Sequence, residues 1–155
     1  GLEEGRPMFL RRPDSHLGLA NFMRSHLYAS LATLKIGLDI LLKEEDVKID
    51  SITGHGGLFK TKGVGQSILA AAMNAPISVM ETAGEGGAWG MALLAAYMLS
   101  KKDGQSLGDY LDSRVFAERK SETMEPDLAD VAGFETYTKQ YQACLAAEKA
   151  AVQAF

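Results

Sequence analysis

The residues of this chain best placed to do chemistry are Gly54, His55, Gly56 and Gly57, with Phe59 and Lys60 just behind them. They lie between the short apolar segment Ser51-Ile52-Thr53 and an alanine-rich stretch. A strand that opens into glycines ahead of a helix is an arrangement suited to phosphate. Glycine reaches positive φ without steric cost and lets a ligand lie against the backbone. The N–H groups at a helix start attract anions. Gly56 and Gly57 would donate N–H groups to phosphate oxygens and lie against a ribose. His55 offers a ring to stack on a base or a donor for phosphate, unless it points into solvent. Phe59 offers one wall for a base or an ordinary core side chain. Lys60 and Lys62 offer charge to phosphate, although lysines in loops are ordinarily solvated. A tight strand-to-helix turn without any ligand uses the same glycines. A lone glycine-rich loop is a weak motif, so the turn by itself leaves both readings open.

Other reactive side chains form no comparable group. His16, His26 and His55 lack metal-ligand spacing, and no acidic or cysteine partner stands at a matching interval, so no metal ligand is assigned. Asp14, Ser15 and His16 are contiguous and cannot adopt triad geometry. Glu81 and Glu85 flank the start of a small-residue helix, where they favour its positive end. Cys144 is the single cysteine and sits in helical surroundings, which reads as a small buried residue. No residue is assigned a catalytic role.

The elements that must position the turn follow from periodicity. Leu19 to Lys43 reads as a long helix with Met23, Leu27, Leu31, Leu34, Leu38 and Leu41 at three- and four-residue steps. Asp14 and Ser15 are candidate caps for it. Ser51 to Thr53 reads as a strand, 54 to 63 as a loop, and Val64 to Asn74 as a helix stopped by Pro76. Ile77 to Met80 reads as a second strand. Glu85 to Leu99 reads as a helix whose glycines and alanines permit close approach of another backbone. Ser106 caps a short helix running through Arg114. Ser121 to Asp130 is polar, carries Pro126, and reads as a loop. Val131 to Val152 reads as a last helix with Phe134, Tyr137, Tyr141, Leu145 and Glu148 on one side. Alternating helices and strands make this an α/β chain.

Composition narrows the classes of partner. At 155 residues the chain is one domain or part of one. A net charge of −4 leaves no electrostatic footprint for nucleic acid or for an anionic membrane. No apolar run reaches membrane-spanning length, and the N-terminus lacks the pattern of a secretion signal. A lone cysteine precludes an internal disulfide and fits a reducing, cytoplasmic setting.

The order of the motifs resembles the C-terminal domain of FGGY-type carbohydrate kinases, close to the xylulokinase and ribulokinase members. Gly54-His55-Gly56-Gly57 stands where that family typically has Gly-Gly-Gly-Ala. Gln66 with Ala70-Ala71-Ala72, then Pro76-Ile77-Ser78-Val79, then Ala88-Trp89-Gly90-Met91-Ala92-Leu93-Leu94-Ala95-Ala96 follow in the family's order. Upstream, Arg24-Ser25-His26-Leu27-Tyr28 resembles the family's Arg-Ala-His-Leu-Tyr. His55 and the long loop Leu58 to Gly63 depart from the pattern. The resemblance spans roughly Arg6 to Tyr141. It implies an incomplete, helix-rich α/β fragment, residues 1–155, of the C-terminal lobe of an actin-like ATPase (ribonuclease-H-like) fold.

The N-terminal sugar-binding lobe, with the base, would lie outside a chain that begins at Gly1 rather than Met. The implied activity of the whole kinase is transfer of the ATP γ-phosphoryl group, with Mg²⁺, to a sugar hydroxyl, a ketopentose such as xylulose or ribulose. The implied adenosine-binding residues are Gly54, His55, Gly56, Gly57, Phe59 and Lys60, and the chain alone should not turn over. The apolar faces of the long helices are available to a homodimer. The alternative is a non-catalytic nucleotide-binding or assembly module on the same half-fold.

Overall fold

A computed structural model describes residues 4–49, 52–81, 86–117 and 121–154. Along the chain run helix α1 (Leu19–Lys43), strand β1 (Ile52–Gly54), a 3₁₀ turn (Gly57–Phe59), helix α2 (Val64–Met73) and strand β2 (Ile77–Met80). Helix α3 (Gly86–Ser100), the short helix α4 (Leu107–Tyr110), a π-helical turn (Leu111–Phe116), strand β3 (Ser121–Met124) and helix α5 (Leu128–Ala154) follow. Ser51 and Glu85, placed in a strand and a helix by the sequence, lie outside the described residues. The chain divides into two compact units, one of Gly1–Lys48, Ala71–Asn74 and Asp127–Phe155, the other of Ile49–Ala70 and Ala75–Pro126.

In the first unit α1 and α5 pack against each other through aromatic rings. Phe134, fully buried, lies 4.8 Å from the Tyr28 ring, and Tyr137 meets Tyr28 edge-on at 5.2 Å. Burial, with the neighbouring Tyr141 and Cys144, pushes the Tyr137 hydroxyl above the usual tyrosine range. The buried face of α1 carries Leu31, Ala32 and Lys35, while Met23, Leu34 and Leu41 of the sequence stripe stand exposed. Lys35 is tolerated inside because its ammonium meets the Asp39 carboxylate at 2.5 Å, one turn away. Asp39 also receives Lys43 at 3.0 Å. Burial alone would raise the Asp39 carboxyl, but the two ammonium groups outweigh it and hold the group below the usual carboxylate range.

Three expectations for these helices need correction. Gly18 caps α1, and neither Asp14 nor Ser15 does; the Ser15 hydroxyl instead donates to the Arg12 carbonyl. Helix α5 starts at Leu128, three residues early, because the Asp127 carboxylate accepts from the N–H groups of Ala129 (2.8 Å) and Asp130 (3.1 Å). Cys144 is exposed rather than buried, since the second half of α5 has no buried residue.

The second unit is built on a three-stranded sheet in the order β1-β2-β3. β1 and β2 are parallel, with Ile52 opposite Ile77 and Gly54 opposite Val79. Helix α2 belongs to the connection between them, as a parallel pair requires. Asn74, at φ 49°, ends α2 in the left-handed conformation before Pro76. β3 pairs antiparallel with β2, with Ile77 opposite Met124 and Met80 opposite Ser121. The reading of 121 to 130 as a loop is therefore wrong for its first four residues. Their pairing comes from backbone bonds and from the Ser78 and Thr123 hydroxyls, 2.8 Å apart, not from an apolar face. Ser106 does cap α4, accepting from the Asp109 N–H. Among the described residues nothing lies close to Gly87 or Gly90 of α3: a Cβ on either would meet nothing within 4 Å. No described residue of α3 is buried, and Met91, Met98 and Leu99 are among its most exposed.

Candidate functional site

The glycine turn lies at the carboxyl end of β1, where open α/β sheets with parallel strands bind their ligands. Each of its glycines has a different local reason. Gly54 is buried, and a Cβ there would sit 2.6 Å from Cε1 and 2.8 Å from Cε2 of Phe59, inside the space of the ring. Gly56 has φ 101° and ψ −172°, a backbone region open essentially to glycine alone. Gly57 needs neither excuse. It does not share the positive φ of Gly56, and a Cβ on it would meet nothing within 4 Å. Nothing among the described residues calls for glycine there; close approach of an outside group would.

The turn is closed by two backbone bonds, Phe59 N–H to the Gly56 carbonyl at 3.1 Å and Lys60 N–H to the Gly57 carbonyl at 3.2 Å. The N–H groups of Gly57 and Leu58, the first two of the 3₁₀ turn, have no acceptor among the described residues. They are the donors an anion at this turn would use. His55 is exposed beside the start of α3: a Cβ on Gly86 would lie 3.2 Å from its Cβ and 3.5 Å from its Nδ1. Leu58 folds back over α2, where a Cβ on Gly65 would stand 2.7 Å from its Cγ.

Of the six residues read from the sequence, the structure therefore brings Gly54 and Phe59 into contact and puts Gly56, Gly57 and Lys60 in one turn. His55 lies beside the start of α3. Beside the turn is a cleft of about 490 Å³, walled by Phe59, Lys62, Gln66, Met80, Glu81 and Glu122 among others. Phe59 is the one member of the six that lines it. The Lys62 ammonium lies 2.9 Å from the Glu122 carboxylate. With that pair neutralised, Glu81 leaves the described lining of the cleft with one negative charge in excess. Lys62, read as a candidate phosphate partner, is thus committed to Glu122 in this structure.

Two residues of this region escaped sequence reasoning. Gln66 entered only as part of a motif, yet its buried amide reaches the Ile77 carbonyl at 2.7 Å and the Glu122 carbonyl at 2.8 Å. Glu122 lies in the segment read as a loop. A glutamine one turn before Leu69 and Ala70, on the side of the helix that carries its apolar residues, was the available signal. For Mg²⁺ the fit is poor as a protein cage: among the described residues no three His, Cys, Asp or Glu side chains gather around a common point.

A model of the FGGY family of carbohydrate kinases, C-terminal domain, matches residues 1–99. No curated protein and no solved structure matches the chain. The match takes in α1, the glycine turn, α2, β2 and nearly all of α3; α4, β3 and α5 lie beyond it. No described helix is long and apolar enough to cross a membrane.

Proposed function

Since this chain belongs to the FGGY family of carbohydrate kinases, through that family's C-terminal domain, we propose that it is the nucleotide-binding lobe of an ATP-dependent sugar kinase. Residues 54–60 are the contact segment. The observation that carries this is Gly57, a glycine without positive φ whose Cβ position meets no described atom within 4 Å, beside two N–H donors with no acceptor among the described residues. Gly57 and Leu58 donate to a phosphate, Gly56 holds the turn that aims them, and Phe59 faces the nucleoside side. The exposed His55 imidazole and the Lys60 side chain stand at the rim.

Phosphoryl transfer asks the protein mainly for positioning and charge stabilisation. Mg²⁺ commonly travels on nucleotide phosphates with few protein ligands, so its charge neutralisation arrives with the nucleotide. No residue here acts as base toward the sugar hydroxyl. That base and the sugar pocket belong to the other lobe, and closure of the lobes aligns the hydroxyl with the γ-phosphoryl group. The acceptor in this reading is a ketopentose such as xylulose or ribulose, and the setting is cytoplasmic. Exposed Leu19, Met23, Leu34 and Leu41 on α1 provide an apolar face for a homodimer.

Calorimetric titration of the chain with ADP·Mg, alongside a coupled turnover assay with ATP and ketopentoses, tests the reading. Saturable ADP binding without turnover is expected. Turnover by this chain alone would overturn the assignment of the base elsewhere, and failure of any adenine nucleotide to bind would overturn the half-site.

A further inference from the structure

Gln66 is the third residue of α2, the helix that leaves the glycine turn, and it is 5% exposed. Its side-chain amide carries two hydrogens on one planar nitrogen. One bond runs to the Ile77 carbonyl on β2 (2.7 Å), the other to the Glu122 carbonyl on β3 (2.8 Å), 56 residues away in sequence. Two further contacts converge on the same strand from the loop between turn and helix. Lys62 pairs with the Glu122 carboxylate at 2.9 Å, and a Cβ on Gly63, at φ 78°, would stand 3.8 Å from the Met124 methyl. The side chains of Lys62 and Gln66 thus reach β3, and the backbone at Gly63 passes close to Met124.

β3 lies outside the residues 1–99 that carry the family's domain. We propose that Gln66 is a positioning residue that makes β3 part of the support for the glycine turn, so that the segment beyond residue 99 sets the conformation in which Gly57 and Leu58 present their N–H groups. The inference rests on the reading of that turn as a nucleotide half-site. Only a buried side chain with two donors on one atom can satisfy both carbonyls at once. Glutamate lacks the donors, methionine lacks any polar hydrogen, and lysine would bury a charge. The exposed Lys62–Glu122 pair adds little alone, because solvent screens it.

The test uses the whole chain and the variants Gln66→Met and Thr138→Val. Thr138 also loses a buried hydrogen bond, from its hydroxyl to the Phe134 carbonyl, but belongs to the other unit. Amide hydrogen exchange is read at Phe59, Lys60 and Val64, whose N–H groups bond within the loop. ADP·Mg affinity is measured in parallel. Gln66→Met should speed exchange at those three amides by about 5- to 30-fold and weaken ADP by a similar factor. Thr138→Val should change neither. If Gln66→Met does not fold, Gln66→Asn, whose shorter amide reaches at most one carbonyl, should give the smaller effect of the same kind.

Unchanged exchange at the three amides would overturn the proposal. Faster exchange with unchanged ADP affinity would overturn it too, because the clamp would then hold the loop without setting the site. If the unaltered chain binds no ADP, the nucleotide reading fails, and the exchange rates still decide whether Gln66 positions the turn.

Discussion

Substituting alanine at Gly54, Gly56 and Gly57 in turn separates the three reasons for glycine in one short segment. At Gly54 the new Cβ enters the Phe59 ring, 2.6 Å from Cε1, so the ring or strand β1 must move. Overpacking of this kind costs about 1–3 kcal/mol. At Gly56 the cost is backbone strain, since φ 101° and ψ −172° fall in a region closed to a Cβ; about 1–3 kcal/mol is expected. Gly57 should behave in the opposite sense. Its conformation accepts alanine and no described atom lies within 4 Å of the new Cβ, so the substitution stabilises by about 0.4–1 kcal/mol by restricting the unfolded chain. For a chain of this size that is a rise in melting temperature of about 1–4 °C. The same methyl would occupy the space a phosphate or ribose must enter, so ADP affinity should fall. The assay is thermal unfolding of each variant by circular dichroism, with and without ADP·Mg. A Gly57→Ala protein that melts lower than the parent, or melts higher and binds ADP unchanged, would refute the reasoning.

Three further outcomes are expected. Phe134→Ala removes a ring with no exposed area that packs on Tyr28, and should cost about 3–5 kcal/mol in denaturant unfolding; a loss near zero would contradict the packing of α1 on α5. Asp39, held below the usual carboxylate range by Lys35 and Lys43 against the effect of burial, contributes stability that is present above about pH 4 and lost as pH falls through its lower folded value. Urea unfolding of the parent and Asp39→Asn across that range should show the parent's advantage at pH 7 disappearing at the acid end, and a constant gap would count against the pairing. Ser106→Ala should weaken α4 by about 1 kcal/mol, seen as faster amide exchange at Asp109.

What could be read in the sequence and what could not divides along physical lines. α1 and β2 were legible to the residue, and α2 and α3 to within one residue, because apolar runs there end at strong signals such as Pro76 and the polar stretch Lys101 to Gln105. β3 was illegible. Ser121-Glu122-Thr123-Met124 has no apolar face, and its pairing is made by backbone bonds to β2 and by side chains 45 or 56 residues distant. The buried face of α1 was misjudged because an ion pair one turn long lets Lys35 go inside while Leu34 stays out. In the candidate site the sequence located the turn but not the separate duties of its glycines. A Phe59 ring against Gly54, a backbone angle at Gly56 and empty space at Gly57 all read as the same letter. The partnership of Gln66 with Glu122 depends on a strand the sequence did not reveal.

In the proposed reading, residues 54–60 receive a nucleotide. Amide-resolved NMR during an ADP·Mg titration addresses it most directly, because it reports the folded state and the place of binding together. Saturable shifts centred on Gly54 to Lys60 are expected, largest at the N–H groups of Gly57 and Leu58. A well-dispersed, folded spectrum in which those amides stay still, or in which the shifts gather elsewhere in the chain, would contradict it.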